Sequence, residues 1–542
     1  MNSDEPSSAQ CAPATNAAPG RIGGVGIGTW LCLLGICLLF VALRWNSYDL
    51  PLDRDEGEYA YSGWLVRQGI APYKHAFLQK PPMVAYSYAL ASVLAPNTLW
   101  APRILACIFL ASATALLGLI VRVEFGKGPA LAAMWVVTPM LLLPQIEQCD
   151  ANTEMFMLLP LTATVAVYTM HRKSGSAWPW FAAGILASLA FWYKYTALPV
   201  IALVFAAWAF EDWQHSRSTA QALARRWLSG LLGALVGSVA ALAFFLVRDG
   251  GRHLWECTFQ FNRLYVGTGT FGGSELWYYL QLFGRHWWVL FLALPVLFFK
   301  PNRRVWFWLV MFGVAWLATG FSCYGQYYLV VMPFWALLVA VAVDRLASWV
   351  SPRLHLPHQL LAGVITAVVV VLVCWSDLPL VLGSQDRLVS RASPPLKEAL
   401  VTAGHLAEIT SPQDRVFVAG SEPEILFYAH RISCTRFVIV YPLMIPTSAA
   451  LRYQHEAIQD LQQNPPEAIV YVRDSESWLR QKETPGDFHA YLNKFLAEDY
   501  EICGGYVVEE HQRGWKSELT REDFGKSRMV LLKRKPSPTP AR

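Results

Sequence analysis

Asp53-Arg54-Asp55-Glu56-Gly57-Glu58-Tyr59 opens a stretch that closes at Gln79-Lys80-Pro81-Pro82-Met83. Three carboxylates, Asp55, Glu56 and Glu58, fall within four positions, with Asp53 just ahead of them. A long apolar run ends at Arg44, so these charges emerge beside a membrane, where water and headgroups still solvate them. A lipid-borne substrate presents its head at that level.

Composition decides the class around this stretch. Of 542 residues 54% are hydrophobic and 15% charged, with 23 Trp, more apolar matter than a soluble core of this length uses. The chain reads as a polytopic membrane protein. Its net charge of +5 is small, and the cations sit in short connections rather than in one patch. That pattern sets topology and excludes nucleic acid as a partner. Of the cysteines, Cys32, Cys37, Cys107, Cys149, Cys257, Cys323 and Cys374 lie in or beside apolar runs, and there is no Cys-x-x-Cys. They read as small buried hydrophobes, and only Cys434 and Cys503 share a polar region where a disulfide is an option.

Residues 1–22, rich in Ser, Ala and Pro, cannot bury a core and are expected to be disordered. The first span, 24–44, reads as an uncleaved anchor. The others are expected at 103–121, 129–147, 154–170, 177–192, 195–211, 228–247, 286–299, 305–321, 327–343 and 359–376, about eleven in all. The apolar segment 82–95 covers about 21 Å as helix against a hydrocarbon core of about 30 Å, so it reads as juxtamembrane or re-entrant. With a cytoplasmic N-terminus, the cytoplasmic connections carry Arg122 and Lys127, Arg172 and Lys173, Arg217 with Arg225 and Arg226, Lys300 with Arg303 and Arg304, and Arg345 with Arg353. This matches the positive-inside bias. Outer loop 45–101, the mouth at Glu147-Gln148-Cys149-Asp150, Lys194, loop 248–285 and the C-terminal part then share the opposite side. The plain role for Asp55 and Asp150 is helix capping and interfacial solvation.

Gly267-Thr268-Gly269-Thr270-Phe271-Gly272 fits a dinucleotide pattern but has no βαβ unit around it, and Gly24 to Gly28 is dismissed on the same ground. No Walker motif occurs, so ATP is not indicated. Loop 248–285 mixes Arg252, Arg263 and Arg285 with Trp255, Tyr265 and Trp277, which suits a phosphate at headgroup depth or an ordinary aromatic belt. His253 and Glu256, three residues apart, are a weak metal pair.

The order of Asp55-Glu56 after span one, Gly69-Ile70-Ala71-Pro72-Tyr73, Lys80-Pro81-Pro82, Arg103 opening the next span, and a second Asp at an outer mouth resembles the integral-membrane GT-C glycosyltransferases. The nearest type is family 39, which includes the protein O-mannosyltransferases and the lipid A aminoarabinose transferase. The likeness covers about residues 26 to 345 and includes Tyr327-Tyr328 followed by Pro333. It implies a GT-C helical membrane domain at 23–376, whose donor is a polyprenyl-phosphate sugar and whose acceptor is a lipid, glycan or protein hydroxyl.

By resemblance Asp55 is the general base with Glu56 beside it, and Asp150 orients the acceptor or holds a cation. Lys80 binds the donor phosphate, assisted by Arg263 or Arg103, and Tyr59, Tyr327 and Tyr328 line the substrate. Single displacement implies inversion. No cofactor is required; a divalent cation is implied only by relatives that carry a Glu before the motif lysine, where this chain has Gln79, a much poorer ligand. A transporter of lipid-linked sugars is the alternative, but it favours midplane ionisable residues and repeated halves, neither of which is found. A receptor-like protein has no use for the carboxylates with Lys80.

Residues 377–532 read as an outer α/β domain, with strands at 415–419 and 468–472 and helices at 396–409 and 455–463. Its Ser421-Glu422-Pro423-Glu424 reads as a solvated surface cluster. The tail 533–542, basic and Pro-rich, is expected to be disordered.

Overall fold

The computed structural model describes residues 27–96, 98–143, 150–215, 219–266, 287–320, 325–389, 396–509 and 513–536. The expectations for 1–22, for 147–149, for the glycine pattern at 267–272, for the loop aromatics beyond 266 and for the tail beyond 536 lie outside these residues; the start of the expected disordered tail is corrected, since Lys533 and Arg534 close a strand and pair with Ala468 and Tyr500.

The apolar runs become helices: α1 Ile27–Ala42, α2 Arg54–Arg67, α3 Met83–Leu94, α4 Trp100–Phe125, α5 Lys127–Met140, α6 Thr153–His171, α7 Trp178–Tyr193, α8 Leu198–His215, α9 Ala220–Val247, α10 Arg303–Ala318, α11 Met332–Leu354 and α12 His358–Cys374. Among the described residues, five segments are long and apolar enough to cross a membrane: α4, α6, Tyr195–Gln214, α9 and α11. The run Trp287–Phe299 is a 3₁₀ helix containing Pro295. At a rise of about 2 Å per residue it reaches further than an α-helix of the same length. Side chains such as Leu228, Leu231 and Leu235 on α9 remain exposed, as a lipid-facing surface requires. The opposite face of α9 carries small residues, and a methyl group added at Gly233 would stand 2.0 Å from the Phe181 carbonyl of α7. Such seams let membrane helices approach closely where lipid removes the hydrophobic drive between them.

The helix ends sort by charge. At the far end of α4, Arg172 pairs with Glu124 at 2.7 Å, and Arg345 donates to the Phe299 carbonyl at 3.2 Å. At the near end lie α2, α3, Asp150, Lys194 and the C-terminal domain.

That domain is a six-stranded sheet of order β2-β1-β3-β6-β4-β5, with β1 Arg415–Ala419, β2 Ile432–Ser433, β3 Ala468–Val472, β4 Tyr500–Val508, β5 Arg513–Lys516 and β6 Ser527–Arg534. Strand β1 pairs in parallel with β2 and β3, with Val418 opposite Val470; the remaining pairings are antiparallel. A strand covered on both faces reads as a continuous apolar run, which is why Val416-Phe417-Val418-Ala419 shows no alternation. One covering layer comes from the membrane part: Tyr61 and Leu65 of α2 belong to the same buried cluster as Val416, Val418, Ala403 and Leu406. Cys434 and Cys503 are both free thiols, so the disulfide option is not realised.

Candidate functional site

Helix α2 starts where the sequence changes from Pro and Leu to carboxylates. Asp53 is its N-cap, accepting from the Glu56 N–H at 2.7 Å, and Asp55 and Glu56 sit in the first turn, where the helix dipole favours anions. The helix ends in a Schellman turn. Gly69 takes φ 72, Ile70 N–H donates to the Leu65 carbonyl at 2.9 Å, and Gly69 N–H donates to that of Val66 at 3.0 Å.

The chain then makes a tight loop that presents Lys80. Tyr73 adopts a left-handed φ of 69, which costs a non-glycine residue about 1–2 kcal/mol, and its hydroxyl donates to the Lys80 carbonyl at 2.9 Å. Gln79 is held on both sides: its N–H donates to Glu58 Oε1 at 3.3 Å, and its carbonyl accepts from Asn262 Nδ2 at 2.9 Å. Lys80 Nζ thereby stands 3.8 Å from Asp55 Oδ2, with Asp55 the most open carboxylate of the stretch at 38% exposure. Burial works against the Lys80 ammonium, but the charges of Asp55, Tyr327, Glu58 and Glu154 outweigh it and hold its pKa well above the usual lysine range. Burial pushes Glu58 up to about 8, with the Asp55 charge adding and Lys80 and the Gln79 N–H opposing.

A second pair adjoins the first. Lys194 Nζ contacts Glu154 Oε1 and lies 3.3 Å from the centre of the Tyr327 ring. Neither Glu154 nor Lys194 had been assigned a role. Their signal in the sequence was an acid opening one span and a base closing the next.

Glu56 has a different occupation. Fully buried, it takes a bidentate pair from Arg103, the Ala151 N–H at 2.8 Å and the Tyr88 hydroxyl at 3.4 Å. Arg103 spends its other donors on the carbonyls of Tyr48 at 3.0 Å, Leu50 at 2.5 Å and Pro51 at 3.3 Å. The structure therefore places Arg103 on Glu56 and not beside Lys80. Arg263 is exposed in the short helix Asn262–Val266, next to the Asn262 that holds Gln79. Tyr59 is buried with its ring against Tyr88 and its hydroxyl without a hydrogen bond to a described residue, and Tyr328 makes a T-shaped contact with Trp316. Of the three tyrosines, Tyr327 is the one beside the lysines.

Asp53, Glu56 and Asp150 bring carboxylate oxygens within 4.8 Å of one another, a spacing suited to a divalent cation. The donor set fits such an ion poorly, because Glu56 is already neutralised by the Arg103 guanidinium across both its oxygens. Burial favours the neutral form of the other two carboxyls. Burial, then Asp55 and Glu56, push Asp53 up to about 7, and burial, then Asp53 and Glu56, raise Asp150 well above the carboxylate range. Glu256 pairs with Arg436 at 3.2 Å and Arg452 at 2.8 Å rather than with His253 around a metal.

The expected surface cluster of the C-terminal domain is corrected by its burial: Ser421, Glu422 and Glu424 are all 0% exposed, closed under α2. Glu422 receives Arg54, and Glu424 packs against Gly57 with neither carboxyl oxygen hydrogen-bonded to a described residue. Burial, then the charge of Glu422, raises Glu424 well above the carboxylate range.

Residues 79–247 match the family model described as dolichyl-phosphate-mannose-protein mannosyltransferase, a segment that includes Lys80, Asp150 and Lys194 but begins after Asp55. No curated protein sequence matches the chain. Among solved structures, the fold is similar to ArnT from Cupriavidus metallidurans in the apo state, at TM-score 0.53 and 16% identity over 93% of this chain and 97% of that one. The same protein bound to undecaprenyl phosphate aligns at TM-score 0.50 and 15% identity, covering 94% and 98%. AglB, the oligosaccharyltransferase of Archaeoglobus fulgidus in complex with an inhibitory peptide and a dolichol-phosphate, aligns at TM-score 0.51 and 12% identity over 94% of this chain and 76% of its own.

Proposed function

We propose, on the premise that this chain has the GT-C membrane glycosyltransferase fold, that it moves a sugar from a polyprenyl-phosphate donor to an acceptor hydroxyl on the outer face of the membrane. The observation that carries the reading is the loose, water-accessible pair of Asp55 and Lys80 at 3.8 Å, beside the membrane. ArnT, whose fold this chain shares, has been captured with undecaprenyl phosphate, and AglB with a dolichol-phosphate and a peptide, which supports a lipid phosphate as the donor's anchor.

Lys80 has the chemistry to take the donor phosphate, a compact cation exchanging a distant carboxylate for a closer oxyanion. Asp55 is released by that exchange and accepts the acceptor's O–H proton. The acceptor oxygen forms its bond to the anomeric carbon as the carbon–oxygen bond to phosphate breaks, with the electron pair leaving on phosphate. No general acid is needed, because a phosphate monoester is stable as an anion with a second pKa of about 6. One displacement inverts the anomeric centre. Lys194, compensated by Glu154 and stacked on Tyr327, supplies a second cation for the phosphate or sugar. Asp150, beside Asp53, orients the acceptor. No step is routed through a metal.

The test is transfer of radiolabel from a panel of undecaprenyl-phosphate pentoses and hexoses to membrane extract by the purified protein. Asp55→Asn and Lys80→Ala are each expected to lower the rate at least 100-fold, roughly the lower end of what one base or one electrostatic group contributes, in protein that still unfolds cooperatively. Binding of several donors with none consumed favours a transporter of lipid-linked sugars instead.

A further inference from the structure

The Asp55 carboxylate receives no hydrogen bond from any described residue, so its position is inherited from the backbone of α2. What holds α2 therefore holds the base. One face of the helix, Arg54, Gly57, Tyr61 and Trp64, follows the spacing of i, i+3, i+7 and i+10, and all four meet the C-terminal domain. The Arg54 guanidinium donates to Glu422 Oε1 at 3.0 and 2.8 Å, to the Tyr441 hydroxyl at 3.3 Å and to the Glu476 carbonyl at 3.0 Å. Glu422 is fully buried, and its other oxygen accepts from Ser477 Oγ at 2.6 Å. A methyl group added at Gly57 would stand 2.6 Å from the Glu424 backbone nitrogen. The Tyr61 hydroxyl accepts from Ser433 N–H at 3.0 Å, and the Trp64 ring lies 5.9 Å from that of His430.

We propose that Glu422 and Ser477 are positioning residues of the transfer reaction, acting through Arg54 to set the depth and rotation of Asp55 against Lys80. The sheet domain is then part of the catalytic machinery. This rests on the reading of Asp55 as the base. Arg54 and Glu56, on either side of Asp55, are each locked in an ion pair, one to the sheet domain and one to α4, and neither lock touches the Asp55 carboxylate itself. A base so placed responds to movement of either anchor, and a shift of about 1 Å in a reacting group costs up to about 100-fold in rate.

The test compares the full-length protein with Glu422→Gln, Ser477→Ala and the paired Arg54→Gln/Glu422→Gln in the same transfer assay. Undecaprenyl phosphate affinity and amide hydrogen exchange over residues 54–67 are measured alongside. The paired variant leaves no buried charge alone and so keeps the fold. The expected result is kcat down roughly 10- to 100-fold in Glu422→Gln and in the paired variant. Donor KM and undecaprenyl phosphate affinity stay within about twofold, exchange across α2 is faster, and Glu422→Asp recovers part of the rate. Parental kcat in the paired variant, unchanged exchange over α2, or a loss confined to KM overturns the proposal. Asp55→Asn separates the two levels. Parental transfer by Asp55→Asn removes the base itself, whereas an inactive Asp55→Asn beside a fully active paired variant removes only the clamp.

Discussion

Glu56 and Asp55 are adjacent, both acidic, and opposite in use. Glu56 has a guanidinium across both oxygens and a backbone N–H on one of them, so it serves the architecture of the near end, tying α2 to α4 and to Ala151. Removing its charge strands Arg103 in a buried setting, and Glu56→Gln is expected to cost about 3–5 kcal/mol, read as a lower midpoint of thermal unfolding in detergent. Asp55→Asn, by contrast, leaves a partly buried Lys80 without its nearest countercharge and should cost less, about 1 kcal/mol, seen as a smaller drop in the same midpoint. Glu58 contributes a pH dependence of its own. Its pKa rises from an ordinary 4.5 to about 8 on folding, so the folded state binds the extra proton. The stability it contributes is fully present below 4.5 and is lost as pH rises through about 8. Glu58→Gln should flatten the fall in unfolding midpoint across that interval; an unchanged slope would assign the titration to another group.

At the scale of elements, α2 and the loop after it form one device with two ends, the carboxylate on the helix and the ammonium on the loop. The loop is set by Tyr73, whose hydroxyl reaches the Lys80 carbonyl and whose ring packs edge-on against Phe245 at 5.2 Å. Tyr73→Phe keeps the ring and deletes the bond. It should cost about 1 kcal/mol of stability and lower transfer by loosening Lys80, seen as weaker undecaprenyl phosphate binding. Gly57 marks where α2 and the sheet domain come closest. Gly57→Ala is an overpacking change expected to destabilise by about 1–3 kcal/mol, although alanine is the better helix former. An alanine variant as stable as the parent would show that the contact yields freely.

On the whole molecule, the pairing of charges at opposite helix ends makes orientation a single question. All the proposed chemistry, α2, Lys80, Asp150, Lys194 and the sheet domain, lies at one end, and the cation-bearing connections lie at the other. With the positive-inside bias, alkaline phosphatase fused after residue 383 or 409 should be active, and the same reporter after Lys173 or Arg304 inactive. The reverse pattern would put the acidic site in the cytoplasm and remove the outer-face reading. The docking of the sheet domain is no loose tether. Tyr61 and Leu65 of α2 share its core, and Arg436, 5.1 Å from the ring centres of both Phe77 and Phe437, pairs with Glu256 of the membrane part.

The sequence by itself determined the membrane class, because a lipid-facing helix must be apolar over its whole length whatever its neighbours are. It also determined the α/β character of the C-terminal part, because 415–419 and 468–472 are too short and too apolar for anything but covered strands. Asp55 and Lys80 were legible together through the resemblance to the GT-C glycosyltransferases, and the fold set them 3.8 Å apart. The tertiary structure alone decided which charges are spent on architecture and which stay free for chemistry. Arg103 looked as available for phosphate as Lys80, and Glu422 and Glu424 looked like ordinary solvated acids, until the fold brought Arg103 to Glu56 and closed α2 over both glutamates. A charged residue has the same letter in water and in an ion pair, and its partner is chosen by packing between segments tens to hundreds of positions apart, which no local pattern records.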